Sequence, residues 1–329
     1  MTGSAALRSP AAEEALATVG LTTGEVTALL DRERADGPRH LVGSLASGFG
    51  NAHSDVDVHI LVDGLEEPVG PRLRHVGETA VDVELFPARW PAQEVARLSE
   101  VPVAELPFGR IALEPAVRSS QRRWLCRWVH AAPLGAGTGP VFTEEEVRVL
   151  LPAIVRQAFD RALTEAAVAL LADRAARDGA DGWTAQACGY LWNRAARGVL
   201  EVHCRAAGEV TTGEKWLPAR ARRLGLTLPD PGAPADGGAA LLALLDLTPS
   251  DVLEAVRVRP AEGLRRAELA GRSFLANRHD RLFAEWLETE GPLAGVLEEH
   301  SPGRLLDAFR RAQLDLTADP DALSGRSQP

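Results

Sequence analysis

The chain has 329 residues, a formal net charge of −10, and is 45% hydrophobic but only 5% aromatic. That length fits one large domain or two smaller ones, with a core built mostly of Ala, Leu and Val. The acidic balance argues against a non-specific nucleic-acid binder, which needs basic surface to displace counterions.

Cys126, Cys188 and Cys204 are widely spaced and form no C-x-x-C pair. They offer neither a disulfide framework nor a zinc site and read as buried thiols in a reducing compartment. No apolar run reaches the roughly 18 residues of a membrane span. The start, "MTGSAALRSPAAEEALATVG", places acids where a signal peptide needs an apolar centre. The expectation is a soluble, cytoplasmic protein without a membrane partner. A single lysine, Lys215, stands against 35 arginines.

In chain order, residues 10–36 read as two short helices, the second opened by Thr22-Thr23-x-Glu25. A short apolar strand over 39–43 runs into Gly43-Ser44. Ser44 to Ser47 begins a brief helix that "GFGN" ends. "DVDVHILV" (55–62) alternates with period 2 and then turns apolar, as a half-buried strand does. "RLRHVGETAVDVELFP" reads as two strands around Gly77-Glu78. Helices follow in "AQEVARLSEV" and "PAVRSSQRRWLCRWVH". "AAPLGAGTGP" (131–140) reads as a linker. Thr143 with Glu144, Glu145 and Glu146 caps a long helix. Helices are expected over 143–178, 183–207, 214–224 and, four more, within 239–313. The expected division is N-terminal helices (1–36), a catalytic module (37–130), a helical domain (141–316) and a polar tail (317–329). The fold class is α+β.

Residues two apart on a strand point the same way. Asp55 and Asp57 therefore project together, as do Asp82 and Glu84 on a later strand. If the strands are neighbours, three or four carboxylates converge. Unpaired, such a patch suffers repulsion and desolvation, and its natural partner is a hard divalent cation. Mg²⁺ is held by carboxylates together with substrate phosphates, which points to nucleotide chemistry. Two such ions hold the attacking and leaving oxygens of an in-line phosphoryl displacement. Upstream, Gly43 lets backbone approach a phosphate and Ser44 offers a hydroxyl, with backbone N–H groups following.

Gly43-Ser44, ten residues, then Asp55-Val56-Asp57-Val58 resembles the signature of the DNA polymerase β-like nucleotidyltransferase superfamily. The flanking "GSLASGFGNAHSDVDVHILV" looks like its small-molecule and antibiotic-modifying branches. The match covers residues 38–87. The resemblance implies a minimal mixed-sheet nucleotidyltransferase module followed by an all-α C-terminal domain. It implies Mg²⁺, two ions, bound by Asp55, Asp57 and Asp82, with the triphosphate seated by Gly43 and Ser44. Asp82 in "AVDVEL" matches the third carboxylate best and Glu84 competes; either one activates the acceptor. The implied reaction moves a nucleoside monophosphate, AMP from ATP by default, to a hydroxyl of a small molecule in the cleft between domains, releasing pyrophosphate. A macromolecular acceptor (protein or tRNA) and a non-catalytic nucleotide sensor are the alternatives, and a homodimer stays open. The pattern departs at Ser47, where many related sequences carry Arg, so the phosphate's positive partner must come from elsewhere.

Lys215, in "GEKWLP", is one candidate: a compact ammonium suits a triphosphate, and helical domains of the resembled family often present a Lys to it. Arg122, Arg123 and Arg127 interleave with Trp124 and Trp128. The tryptophans are i,i+4 and read as core rather than as a nucleic-acid stacking platform, while the arginines can help hold phosphate. His59 is expected to alternate off the Asp face. His53 reads as a loop residue, His203 and Cys204 point apart, and Tyr190 and Trp192 pack their helix.

Overall fold

The computed structural model describes residues 9–33, 36–114, 116–177, 185–227 and 237–252, and three strands between 264 and 285. The chain divides into two compact units, 1–157 with 201–227, and 158–200 with 228–329.

The first unit opens with α1 (Ala12–Ala17) and α2 (Thr23–Leu30). A capping box joins Thr22 and Glu25 at the start of α2, as the sequence predicts. Then come β1 (Arg39–Val42), the one-turn helix α3 (Gly43–Ala46), β2 (Val56–Val62), β3 (Val69–Val76), β4 (Thr79–Pro87) and α4 (Trp90–Ser99). A small hairpin, β5 (Val103–Leu106) and β6 (Gly109–Ala112), precedes α5 (Ser119–Val129) and β7 (Ala132–Leu134). The architecture is α+β around a mixed five-stranded sheet of order β3-β4-β2-β1-β7. β2 and β4 run parallel and the other pairs antiparallel.

Both faces of the sheet are covered, which explains why β2 is buried along nearly its whole length. Val56, Val58, Ile60, Val81, Val83 and Leu85 pack with Leu16, Val26 and Leu30 of the first two helices. The opposite face carries Val42, Leu61 and Phe86 against Trp124, Leu125, Trp128, Leu150 and Ile154. The tryptophans of α5 are core, as their spacing predicts.

Within the segment read as a linker, β7 pairs its Pro133 with His40 of β1. A proline is tolerated there because β7 is an edge strand. The long helix α6 (Glu144–Arg177) starts on a reciprocal Thr143–Glu146 cap, and α7 (Ala185–Ala206) follows. In the second unit Gly198 lies against α6, since a Cβ there would stand 2.9 Å from Ala162 Cα. Trp192 Nε1 donates to Asp173 Oδ2 at 2.6 Å. Back in the first unit, a 3₁₀ turn (Glu214–Trp216) leads into α8 (Leu217–Arg223). A short helix, α9 (Gly237–Ala243), and strands β8 (Leu264–Leu269), β9 (Arg272–Asn277) and β10 (Leu282–Glu285) complete the described elements. The three strands form an antiparallel sheet where the sequence reading expects helices. Beyond residue 252, and apart from these strands, the expected helical stretch and the polar tail lie outside the described residues.

No described helix is long and apolar enough to cross a membrane. The three cysteines are buried free thiols.

Candidate functional site

β2 lies between β1 and β4, so its first residues face groups from both neighbours. Asp57 is paired in register with Val42 on β1 and with Asp82 on β4. Register partners on parallel strands project to the same face, and Asp55 enters that face two residues earlier. The result is a cluster in which one carboxylate oxygen from each of Asp55, Asp57 and Asp82 lies within 4.8 Å of the others. Asp55 is exposed, Asp82 half-buried, and Asp57 only 8% exposed.

Gly43 is what lets Asp57 sit there. Its φ is +76°, in the left-handed region, and a Cβ at this residue would stand 2.1 Å from Asp57 Oδ2. Any side chain would therefore displace the carboxylate as well as strain the backbone. Ser44 is half-buried and its hydroxyl carries no hydrogen bond to a described residue. Its carbonyl accepts from Phe49 N at 2.9 Å and Gly50 N at 3.0 Å, which closes the turn.

Ser47, the departure from the signature, is 3% exposed and donates its hydroxyl to Gly43 O at 2.7 Å. A cation does reach this turn, but from α8. Arg223 donates Nη1 and Nη2 to Ser47 O at 3.1 Å, and Nη2 to Gly48 O at 3.1 Å. Its guanidinium also lies 3.9 Å from the ring centre of Phe49. Glu209 pairs with it at 3.1 Å. Phe49 in turn stacks on Trp216 at 5.8 Å, and the exposed Lys215 caps the Trp216 ring at 4.8 Å. So Lys215 belongs to the segment that packs on the signature turn. Arg223 is the closer cation, and nothing in its local sequence marks it for that role.

The two candidates for the third carboxylate part company. Asp82 joins Asp55 and Asp57, whereas Glu84 faces cations. Glu84 Oε1 is 3.5 Å from Arg127 Nη1, 4.0 Å from Arg123 Nη2 and 3.7 Å from His59 Nε2. His59 foremost, then the arginines, hold the Glu84 carboxyl below its usual range against the opposing effect of burial.

His59 corrects an expectation. It lies on the same face as Asp57, not the opposite one, because the two are two residues apart, and it is paired in register with Glu84. Trp128 Nε1 donates to His59 Nδ1 at 2.8 Å, which leaves the ring proton on Nε2. That nitrogen is buried and, with Glu84 Oε1 at 3.7 Å, makes no hydrogen bond among the described residues. Burial above all pushes the imidazole's pKa down. His53 is exposed in the loop, its backbone N–H bonded to Asn51 Oδ1 at 2.9 Å.

Asp57 has the unusual electrostatics of the cluster. Burial pushes its carboxyl up to about 6, Asp55 and Asp82 push the same way, and Arg127 and Arg123 oppose them. Arg127 Nη1 is 3.2 Å from Asp57 Oδ1. The donor set fits a hard divalent ion. Oxygens bound to one Mg²⁺ at about 2.1 Å lie at most about 4.2 Å apart, so a movement of less than about 1 Å closes the group. The raised Asp57 pKa marks charge that the protein alone leaves incompletely compensated.

No protein-family model matches the chain, and no curated protein matches its sequence.

Proposed function

We propose that this chain is a metal-dependent nucleotidyltransferase of the polymerase β-like kind, moving a nucleoside monophosphate from an NTP to a hydroxyl of a small molecule. The observation that carries the reading is the convergence of Asp55, Asp57 and Asp82 on a turn whose Gly43 is moulded to Asp57. It is supported by the order of parts: signature turn after β1, paired aspartates opening β2, third carboxylate on the parallel neighbour β4.

Asp55, Asp57 and Asp82 would hold Mg²⁺, two ions on the resemblance, and ATP is the default donor. Bound there, the metal would neutralise phosphate charge and polarise the reacting phosphorus. Gly43 makes room for the Asp57 carboxylate beside the turn, and the Ser44 hydroxyl, unengaged among the described residues, would donate to the polyphosphate. Arg223 keeps the turn in shape, and Lys215 supplies an exposed ammonium on the same packed segment. Of the two candidate bases, Asp82 keeps the role: Glu84, faced by His59 and two arginines, has a carboxylate too stabilised to take a proton readily.

The test supplies each α-³²P-labelled NTP with Mg²⁺ and separated cell-extract fractions. Label moving into the low-molecular-weight fraction supports a small-molecule acceptor. Label on protein or tRNA moves the acceptor to a macromolecule, and NTP binding without turnover in either fraction favours a nucleotide sensor.

A further inference from the structure

Arg127 meets the carboxylates from α5. One nitrogen, Nη1, bridges Asp57 Oδ1 at 3.2 Å and Glu84 Oε1 at 3.5 Å. Its side chain is only 15% exposed. The helix that carries it is anchored by Trp124 and Trp128, so the guanidinium is delivered to this spot by the core rather than by a flexible loop. Of the two Asp57 oxygens, Oδ1 faces Arg127, while Oδ2 lies on the side of Gly43. His59 Nε2, buried and without a hydrogen bond to a described residue, lies 3.7 Å from the same Oε1. Arg123, one turn earlier and 69% exposed, extends the cationic edge to solvent.

A guanidinium does not deprotonate. It cannot give way to a second cation by losing charge, and it can give way only by moving. A divalent ion on Asp57 and a guanidinium against the same carboxylate repel strongly at this burial. We propose that Arg127 is a built-in counter-cation of the triad, which a divalent ion must displace from Asp57 in order to bind, and whose freed guanidinium then takes an oxygen of the anionic co-substrate. The ion and the polyphosphate then load together, because each removes the obstacle to the other. Arg127 in this scheme contacts the co-substrate directly. The inference rests on the metal-site reading above.

The test is a Mn²⁺ titration of the full chain at pH 8.5 and low ionic strength without nucleotide, following free Mn²⁺ by electron paramagnetic resonance. Arg127→Gln is expected to bind Mn²⁺ about tenfold more tightly than the wild type. Arg127→Lys, which keeps the charge, is expected to stay within about threefold of it. Should the glutamine variant not fold, Arg127→Met keeps the apolar stem and gives the same reading. In saturating Mg²⁺ the same uncharged variant is expected to bind ATP more weakly, the opposite direction from its metal affinity. A residue that merely holds Asp57 in place would lower both. Unchanged or weakened Mn²⁺ binding in the uncharged variants, beside a wild type that binds, overturns the inference alone. Failure of wild type and variants alike to bind Mn²⁺ overturns the metal-site reading and the inference with it.

Discussion

Gly43 and Asp57 interlock: the left-handed turn after β1 leaves room for the Asp57 carboxylate only because residue 43 has no Cβ, which would stand 2.1 Å from Oδ2. Gly43→Ala is therefore expected to cost more than backbone strain. Gly64, with a φ of +72° and nothing within 4 Å of where a Cβ would stand, is the control for strain alone. The expected loss is about 1 kcal/mol for Gly64→Ala and about 2–4 kcal/mol for Gly43→Ala, by urea unfolding. Mn²⁺ affinity should fall at least about tenfold in Gly43→Ala only. Equal effects of the two variants would break the proposed coupling.

The buried Asp57 sets a pH dependence. Its carboxyl titrates near 6 in the folded protein against 3.8 for the ordinary group. Between those values the folded state binds more protons than the unfolded state, so stability falls as pH rises through that window. The full loss is at most about 3 kcal/mol. In EDTA, unfolding free energy should decline from pH 4 to pH 7 and the decline should shrink in Asp57→Asn. A divalent ion should stabilise the wild type much more at pH 7.5 than at pH 5, because binding requires the proton to leave. A metal-induced shift in melting temperature that is the same at both pH values would contradict this.

Trp128 fixes the His59 tautomer through its 2.8 Å hydrogen bond to Nδ1. Trp128→Phe keeps an aromatic ring beside Phe86 and Trp124 but removes the donor. A stability loss of about 2–4 kcal/mol is expected, from the buried nitrogen left unsatisfied and the smaller ring together. ¹⁵N spectra of the imidazole should change from one tautomer to a mixture. A single unchanged tautomer would show that Glu84, not Trp128, sets it.

Arg223 holds the signature turn from α8, through the carbonyls of Ser47 and Gly48. Arg223→Lys keeps a charge but loses the planar fork. The variant is expected to raise the KM for the NTP about 5–20-fold with a smaller change in kcat. A lowered kcat at constant KM would place Arg223 in the chemistry instead.

The legible parts of the fold are those written locally. The two helices before the sheet, the turn at Gly43-Ser44, and β2 to β4 follow from caps, glycines and period-2 alternation in single short stretches. The convergence of Asp57 with Asp82 needs only the premise that their strands are neighbours, and the register makes them so. His59 departs from its expected face because "HILV" is buried on both sides, so burial no longer marks the alternation, although the two-residue spacing from Asp57 does. Arg223 leaves no local signal: its partner Ser47 lies 176 residues away in sequence. Arg127 can be named with its arginine neighbours, and its flank beside core Trp128 is the clue to its direction. β7 is hidden by Pro133 in a Gly- and Pro-rich run, which an edge strand tolerates.

Nucleotidyl transfer by the Asp55, Asp57 and Asp82 cluster is tested most directly by pyrophosphate release. The purified chain is supplied with NTPs, Mg²⁺ and the low-molecular-weight cell-extract fraction, and compared with Asp55→Asn/Asp57→Asn. Mg²⁺-dependent pyrophosphate release by the wild type is expected, reduced at least about 1,000-fold in the double variant and by EDTA. Release that persists in the double variant, or that needs no divalent ion, would contradict it.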